Sequence, residues 1–142
     1  MTIPRTVTRR LNHHVEFHHV DMMQVVHNFI YLKWFEKGRF QLLDEVFPVS
    51  WMLENRIATP VVMNHAEYLN SATYGDTLVV TTRHRVKDYW DGRFLFKHSI
   101  SNAKTKLELC SGETATTVID FDSKQLLKEI PEEIWSRYQN LE

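Results

Sequence analysis

The stretch DMMQVVHNFIYL, residues 21–32, changes its hydrophobic period and so predicts where a strand ends and a helix begins. Residues 15–20 alternate between two faces, which predicts a strand, and Asp21 comes next in that series. From Asn28 the apolar spacing is helical, and asparagine is among the best N-cap residues. A carboxylate therefore comes just before backbone N–H groups that have no partner within the helix and carry partial positive charge. At such a junction, the carboxylate can act on a carbonyl group that the backbone N–H groups polarise.

The helix predicted over residues 28–47 is apolar around most of its circumference. Its polar residues form one narrow stripe, made of Lys33, Lys37, Gln41 and Asp44. A helix with so little polar surface is expected to be largely buried. Glu36 and Arg39 lie one turn apart and are expected to pair for structural reasons.

After a loop predicted over residues 48–59, the apolar period becomes two. Strands are predicted over residues 61–70, 77–86, 93–100 and 107–121, with turns at 74–76, 90–92 and 102–104. Gly112 predicts a bulge or bend, and Pro131 begins a short terminal helix. The order strand, long buried helix, antiparallel strands, short helix predicts an α+β fold with a long sheet wrapped around one central helix. Residues 1–142 are expected to form a single domain.

Composition and charge exclude several classes of protein. The 142 residues are 43% hydrophobic and 25% charged, with a net charge of -1, so no excess charge favours nucleic acid or a membrane surface. No apolar run reaches the length of a membrane span, and the N-terminus lacks the pattern of a signal peptide. Cys110, the single cysteine, is expected to be an inert strand residue. A cytoplasmic protein is the expectation.

The residues support few other chemistries. We find no Gly-x-Ser-x-Gly elbow, Walker loop or dinucleotide glycine fingerprint. His14, Glu16 and His18 share a face of the predicted strand at a spacing that can bind a metal, but no cysteine pair accompanies them, and solvated histidines are favoured. His65, His84 and His98, each alone in a predicted strand, are expected to be core or surface residues. No metal or cofactor is therefore expected.

The order of elements and several short motifs resemble the 4-hydroxybenzoyl-CoA thioesterase family of the hotdog fold. The matching residues are Asp21, Val25-Val26-His27-Asn28, Tyr31-Leu32, Glu36, Arg39, Thr59-Pro60-Val61-Val62, Tyr74-Gly75-Asp76-Thr77-Leu78 and the proline-led terminal helix. The resemblance covers nearly the whole chain. It implies hydrolysis of an acyl thioester, of coenzyme A or an acyl carrier protein, without a metal or cofactor.

The resemblance also implies roles for individual residues. Asp21 falls at the catalytic carboxylate, as general base or nucleophile, and the backbone N–H of Asn28 falls where the family polarises the thioester oxygen. His27 is a further catalytic candidate. Gln24 occupies a loop position that relatives usually fill with glycine. The predicted substrate-binding residues are Gln24, Val26, Tyr31, Thr59, Lys87 and Arg93, of which Lys87 and Arg93 flank the 90–92 turn, where some relatives place basic residues against the nucleotide phosphates.

Hotdog proteins commonly pair edge to edge, so the resemblance implies a homodimer or homotetramer. Residues 59–61 of a second subunit are then expected near the site. Two alternatives keep the fold and change the function. In the first, Gln24 displaces the catalytic water and the protein only binds acyl or aromatic ligands. In the second, Asp21 and His27 act together in an acyl-thioester dehydratase.

Overall fold

The computed structural model describes residues 6–84 and 92–141. Seven strands, three α-helices and one short 3-10 helix make up these described ranges. In chain order they are β1 (Val7–His14), the 3-10 helix (Phe17–His19), α1 (Asn28–Leu43), α2 (Val49–Asn55), β2 (Ile57–Ala58), β3 (Val61–Tyr68), β4 (Thr77–His84), β5 (Arg93–Asn102), β6 (Glu108–Thr117), β7 (Ile119–Asp120) and α3 (Glu132–Gln139).

Five strands form one antiparallel sheet in the order β1-β4-β5-β6-β3. Among the described strands, the two outermost are therefore β1 and β3, and each has one side of its backbone without a described partner strand. The remaining short strands, β2 and β7, pair with each other. This arrangement confirms the predicted fold class, in which a long antiparallel sheet holds one long helix.

Helix α1 packs against the sheet because two glycines let the chains approach closely. A Cβ atom on Gly38 of α1 would overlap the hydroxyl of Thr82 in β4. A Cβ atom on Gly112 of β6 would overlap the carbonyl oxygen of His65 and lie 2.7 Å from the ring of Phe35. The absence of side chains at these two positions therefore determines the distance between helix and sheet.

The core consists of two clusters arranged along α1. Around the first half of the helix, Tyr31, Trp34 and Phe35 pack with strand residues such as Leu78 and Ile100. Around the second half, the apolar residues of α1 pack with α2, α3 and strand β5. The buried members of this second cluster include Leu42, Leu43, Phe47, Trp51, Phe94, Phe96, Ile134 and Tyr138. The C-terminal helix thus closes the end of the core that lies away from the start of α1.

Four sequence predictions were wrong in position. The single strand predicted over residues 107–121 is divided into β6 and β7, which belong to different sheets. The strand predicted over residues 15–20 lies upstream, at Val7–His14, and a 3-10 helix occupies residues 17–19. Residues 48–59, predicted as a loop, contain α2, whose Trp51 and Met52 are buried. The helix predicted to run to residue 47 ends at Leu43. Alternating polarity over a short window cannot distinguish a strand from a turn of helix with one buried side.

Gly112 also departs from its prediction. The ladder between β5 and β6 pairs His98 with Gly112 without a register shift, and the irregularity in this ladder lies at Ile100 and Ser101 instead. Glycine is needed at position 112 for the close approach of Phe35 and the neighbouring strand. Of the turn predicted at residues 90–92, only Gly92, with φ of 89°, is among the described residues.

Candidate active site

Asp21 lies in a tight turn between the 3-10 helix and α1. The backbone N–H of Asp21 donates to the carbonyl of Val25 at 3.0 Å, and the N–H of Gln24 donates to the carbonyl of Asp21 at 2.9 Å. The carboxylate Oδ1 accepts the backbone N–H of Met23 at 2.7 Å. Short side chains such as aspartate favour this kind of turn because they can bond to the backbone two residues on. One carboxylate oxygen is therefore fixed by the turn.

Asp21 lines a cavity of about 1120 Å³. Residues from three segments form the walls: the start of the 3-10 helix, the segment between this helix and α1, and the loop before β4. They are Phe17, Val20, Asp21, Met22, Met23, Gln24, Val25, His27, Thr73 and Tyr74. A bridge between Val25 and Thr73 brings the distant loop to the turn. Predicted site residues Asp21, Gln24 and His27 thus share one cavity.

A second, smaller cavity of about 180 Å³ lies beside the first turn of α1. Its walls include Val26, Asn28 and Tyr31 together with residues 68–71. Side chains of an extended segment point alternately to opposite sides. Val25 and His27 accordingly line the larger cavity, whereas Val26 and Asn28 line the smaller one. The main chain of residues 25–28 therefore separates the two cavities.

The start of α1 is determined by the two residues before it. The N–H of Val26 donates to the carbonyl of Ala72, and the N–H of His27 donates to the carbonyl of His19, each at 3.0 Å. These bonds hold the segment extended, so the N-cap is His27 and the helix begins at Asn28. The prediction of Asn28 as the N-cap was therefore wrong by one residue. Among the described residues, no acceptor contacts the backbone N–H of Asn28, as expected for the first turn of a helix.

Three other predicted binding residues that the structure describes lie in different places. Tyr31 is buried, and its hydroxyl accepts the N–H of Ala72 at 3.1 Å, which anchors the loop that reaches the cavity. Thr59 lies beside Met52, with 3.7 Å between its hydroxyl and the sulfur atom. Arg93 is exposed at the start of β5 and lines neither cavity. Lys87 lies outside the described residues.

Three residues around the 3-10 helix bring possible metal ligands together. Donor atoms of Glu16, His18 and His19 lie within 4.8 Å of one another. His19 Nδ1, however, accepts the backbone N–H of Glu16 at 2.9 Å. A neutral imidazole with Nδ1 as acceptor carries its proton on Nε2, so neither nitrogen of His19 is free to bind a metal. This cluster is therefore better described as a hydrogen-bonded turn, and His14 bonds elsewhere, to the hydroxyl of Thr77.

Cys110 is not a nucleophile in this structure. The residue is buried in β6, and burial raises the pKa of its thiol to about 12. Since the thiolate is the reactive form, a thiol with this pKa is inert near neutral pH. The expectation that Cys110 is an inert strand residue is consistent with its position.

Sequence reasoning did not place Thr73 and Tyr74 at the cavity. Tyr74 was expected as part of a turn and of a stretch that resembles the family, but not at the site. Thr73 lies more than forty residues from Asp21 along the chain. The bridge from Val25 to Thr73 that brings them to the cavity is a pairing of two isolated residues. A pairing of that length leaves no periodic pattern, so the sequence contains no signal for it.

The geometry defines a class of protein: a single long helix against an antiparallel sheet, with a carboxylate-bearing cavity near the helix start. The model of the thioesterase-like superfamily matches residues 15–137. A relative from Bacillus subtilis (strain 168), named Putative acyl-CoA thioesterase YneP, is 30% identical over 96 residues, which are 67% of this chain and 68% of the relative. The chain therefore belongs to the thioesterase-like superfamily, and the predicted hotdog-fold thioesterase family is confirmed.

Solved structures agree on the fold. Slr0204 from Synechocystis, a 1,4-dihydroxy-2-naphthoyl-CoA thioesterase, has a TM-score of 0.81 at 19% identity, with 95% of this chain and 98% of that chain covered. SAV2348 from Staphylococcus aureus, solved in complex with CoA, has a TM-score of 0.81 at 16% identity, with 100% and 89% covered. Among the described residues, no helix is long and apolar enough to cross a membrane.

Proposed function

We propose that this protein hydrolyses acyl-CoA thioesters to a free acid and coenzyme A. The observation that carries the proposal is Asp21, a carboxylate fixed in a turn at the wall of a large cavity close to the start of α1. Family membership and the CoA-containing substrates in the names of its relatives support the same class of reaction.

In the proposed reaction, Asp21 acts as general base. It takes a proton from water, the water oxygen attacks the thioester carbon, and the carbon–sulfur bond breaks. The carbonyl oxygen gains negative charge as the attack proceeds. The proposed donor to it is the backbone N–H of Asn28, which belongs to the main chain that separates the two cavities, although Asn28 itself lines the smaller one. A donor of this kind contributes roughly 10²–10³ in rate, because its dipole is already oriented before the charge develops. Direct attack by the carboxylate, followed by hydrolysis of the anhydride, is the other route open to Asp21.

His27 is the second titratable group at the cavity wall. Its ring stacks on Phe29, with 5.2 Å between centroids, which restricts its orientation. We assign to it the transfer of the proton that Asp21 takes from water to the leaving thiolate, so that the products are the free acid and the thiol of coenzyme A. Arg93 and Lys87 remain the proposed partners of the nucleotide phosphates, and Tyr31 supports the site by anchoring Ala72.

The protein is also proposed to form a homodimer through the edge strand β3. Apolar side chains along this strand are exposed, among them Val61, Val62, Met63 and Tyr68. An outermost strand with unpaired backbone groups and apolar side chains is a template for pairing with a second chain. Pairing there would bring residues 59–61 of one subunit toward the site of the other.

The test is release of free thiol from a panel of acyl-CoA substrates. Asp21→Asn keeps an oxygen that can accept the N–H of Met23 but cannot act as a base, so kcat is expected to fall by at least about 100-fold. Asp44→Asn changes an exposed carboxylate at the end of α1 and serves as the matched control. Equal rates for wild type and Asp21→Asn would overturn the assignment of Asp21.

Two further functions have an observation in their favour. Asp21 and His27 share a cavity, which suits a dehydratase of 3-hydroxyacyl thioesters; loss of water without free thiol would identify that reaction. Gln24 lines the same cavity, which suits a binding protein whose glutamine occupies the place of the attacking water. In that case, wild type binds acyl-CoA without turnover and Gln24→Ala gains thiol release.

A further inference from the structure

The larger cavity is surrounded by exposed apolar side chains. The exposed fractions are 78% for Phe17, 100% for Met22, 79% for Met23 and 62% for Tyr74. The rings of Phe17 and Tyr74 meet edge to face, with 6.0 Å between centroids. Large apolar groups that cluster in solvent at the edge of a cavity are typical of a binding site rather than of an ordinary surface.

The same cavity has a distinctive charge. Of the described residues that line it, Asp21 is the one with a carboxylate, and none is lysine or arginine. An acyl group with a second carboxylate would therefore place that charge in a largely apolar cavity without a cation to neutralise it. A carboxylate that leaves water for such a site loses its hydration, and no ion pair replaces it. The volume of about 1120 Å³ leaves room for a long or bulky group.

We propose that this cavity binds the acyl group and selects uncharged, apolar acyl chains of medium or greater length, with Met22 and Met23 as specificity-determining residues. The proposal rests on the thioesterase function proposed above and names its substrate class. Methionine suits this role because its unbranched, polarisable side chain adapts to chains of different shape. The absence of a cation among the described lining residues disfavours acyl groups that end in a carboxylate.

The first experiment compares octanoyl-CoA with the CoA thioester of octanedioic acid, which has the same chain length and a terminal carboxylate. The expected kcat/KM for octanoyl-CoA is higher by at least about 50-fold, because the terminal carboxylate loses its hydration in a cavity whose described walls provide no counter-ion. Equal kcat/KM values would overturn the charge argument while leaving thioester hydrolysis in place.

The second experiment tests the methionines. The double variant Met22→Ala/Met23→Ala is expected to raise KM for octanoyl-CoA about 10-fold with a small change in kcat, since about 1.4 kcal/mol of lost contact corresponds to a factor of ten. Neither constant is expected to change much for acetyl-CoA. Met23→Lys is expected to raise kcat/KM for the dicarboxylic substrate at least about 10-fold. Leu53→Ala, at an exposed leucine on α2, is the control. Unchanged kinetics in all the methionine variants would overturn the assignment.

Binding separates this proposal from the proposed hydrolysis. The probes are S-octyl-CoA and S-(7-carboxyheptyl)-CoA, two thioethers that cannot be hydrolysed, measured by calorimetry. Tighter binding of S-octyl-CoA, weakened in the double methionine variant, supports the acyl site even if no substrate releases thiol. Equal binding of both probes contradicts it. If the methionine variants change the oligomeric state and leave binding intact, a second copy of the chain covers these residues and the proposal is wrong.

Discussion

Gln24 holds the turn of the candidate site in a backbone conformation that most side chains avoid. Its φ is 63°, in the left-handed region. The resemblance places glycine at this position in relatives, and the turn closed by Asp21 and Val25 explains the preference. A residue other than glycine costs roughly 1–2 kcal/mol in this region, so the turn is stable only because its hydrogen bonds and the bridge to Thr73 offset that cost.

Substitutions at Gln24 should separate backbone strain from side-chain effects. The free energy of unfolding of Gln24→Gly is expected to lie within about 1 kcal/mol of the wild-type value, since relief of strain is offset by a more flexible unfolded chain. Gln24→Val is expected to lower the free energy of unfolding by about 1–2 kcal/mol, because a β-branched residue fits the left-handed region poorly. Urea denaturation measures both values. If the valine variant is as stable as the glycine variant, the turn does not hold this residue in the left-handed region.

At the scale of elements, a line of hydrogen bonds crosses four strands beneath α1. The hydroxyl of Thr114 donates to Asn64 at 2.8 Å, so it accepts the Nε2–H of His98, at 3.0 Å. His98 Nδ1 is then the acceptor for Thr82, at 3.2 Å. Phe35 of α1 stacks on the His98 ring, with 4.4 Å between centroids. The helix and the sheet are therefore held by a neutral histidine of one defined tautomer.

Gly112 is the element-scale test of this contact. Gly112→Ala is expected to lower the free energy of unfolding by about 2–3 kcal/mol, because the new methyl group overlaps the carbonyl of His65 and the ring of Phe35. Ser111→Ala, at the neighbouring half-buried position, should change stability far less. Chemical denaturation of both variants measures the difference, and a loss below about 0.5 kcal/mol in Gly112→Ala would contradict the close packing.

At the scale of the whole molecule, two buried histidines connect the sheet to its surroundings. His84 Nε2 lies 2.9 Å from the hydroxyl of Tyr138 in α3, and its Nδ1 lies 2.9 Å from the carbonyl oxygen of Leu95. Burial lowers the pKa of His84 to about 4, and burial lowers the pKa of His98 to about 3. Both side chains are therefore neutral in the folded protein at neutral pH.

These pKa values predict how stability changes with pH. The unfolded chain binds a proton at each histidine below about pH 6.5, whereas the folded protein does not until the pH is much lower. The contribution of each histidine to the free energy of unfolding is therefore complete above pH 6.5 and is lost as the pH drops. At about pH 5, the loss is about 2 kcal/mol per histidine. Urea denaturation over this range measures the slope.

The test of this pH dependence compares the slope of the free energy of unfolding against pH in different variants, rather than the absolute value at one pH. His98→Phe removes the titration of His98 and is expected to reduce the slope between pH 6.5 and about 5 by about 1.4 kcal/mol per pH unit, whatever it costs at pH 7.5. His84→Phe provides the same test from the other site. His65→Asn, at an exposed histidine of β3, is the matched control. An unchanged slope in both buried variants would show that these histidines already bind protons when folded.

The proposed dimer makes a prediction about the edge strand. Val62→Lys places a charge on β3 and is expected to weaken self-association by at least about 100-fold, because an unpaired charge at a paired edge is costly. Val49→Lys is the matched control, since Val49 of α2 is 49% exposed and Val62 is 51% exposed. Light scattering across a concentration series measures both. A wild-type monomer at micromolar concentration would contradict the proposal.

Much of the fold could be predicted from local patterns. The helical period after Asn28 and the alternation from Val61 onward describe α1 and the long strands, because burial of one face imposes that period on the sequence. The exposed stripe from Lys33 to Asp44 and the pairing of Glu36 with Arg39 also follow from helical spacing. Strand β1 could not be located in this way, since its residues are mostly polar and it lies at the sheet edge.

By itself, the sequence determined the family, the central helix, the order of the long strands and the presence of a carboxylate before the helix, since each leaves a local period or motif. Only the tertiary structure decided which residues share a cavity. It groups Asp21 with His27 and with Tyr74 from a distant loop, and it places Asn28 on the other side of the chain. Such groupings depend on pairings between residues far apart in the chain, and those pairings impose no pattern on either segment alone.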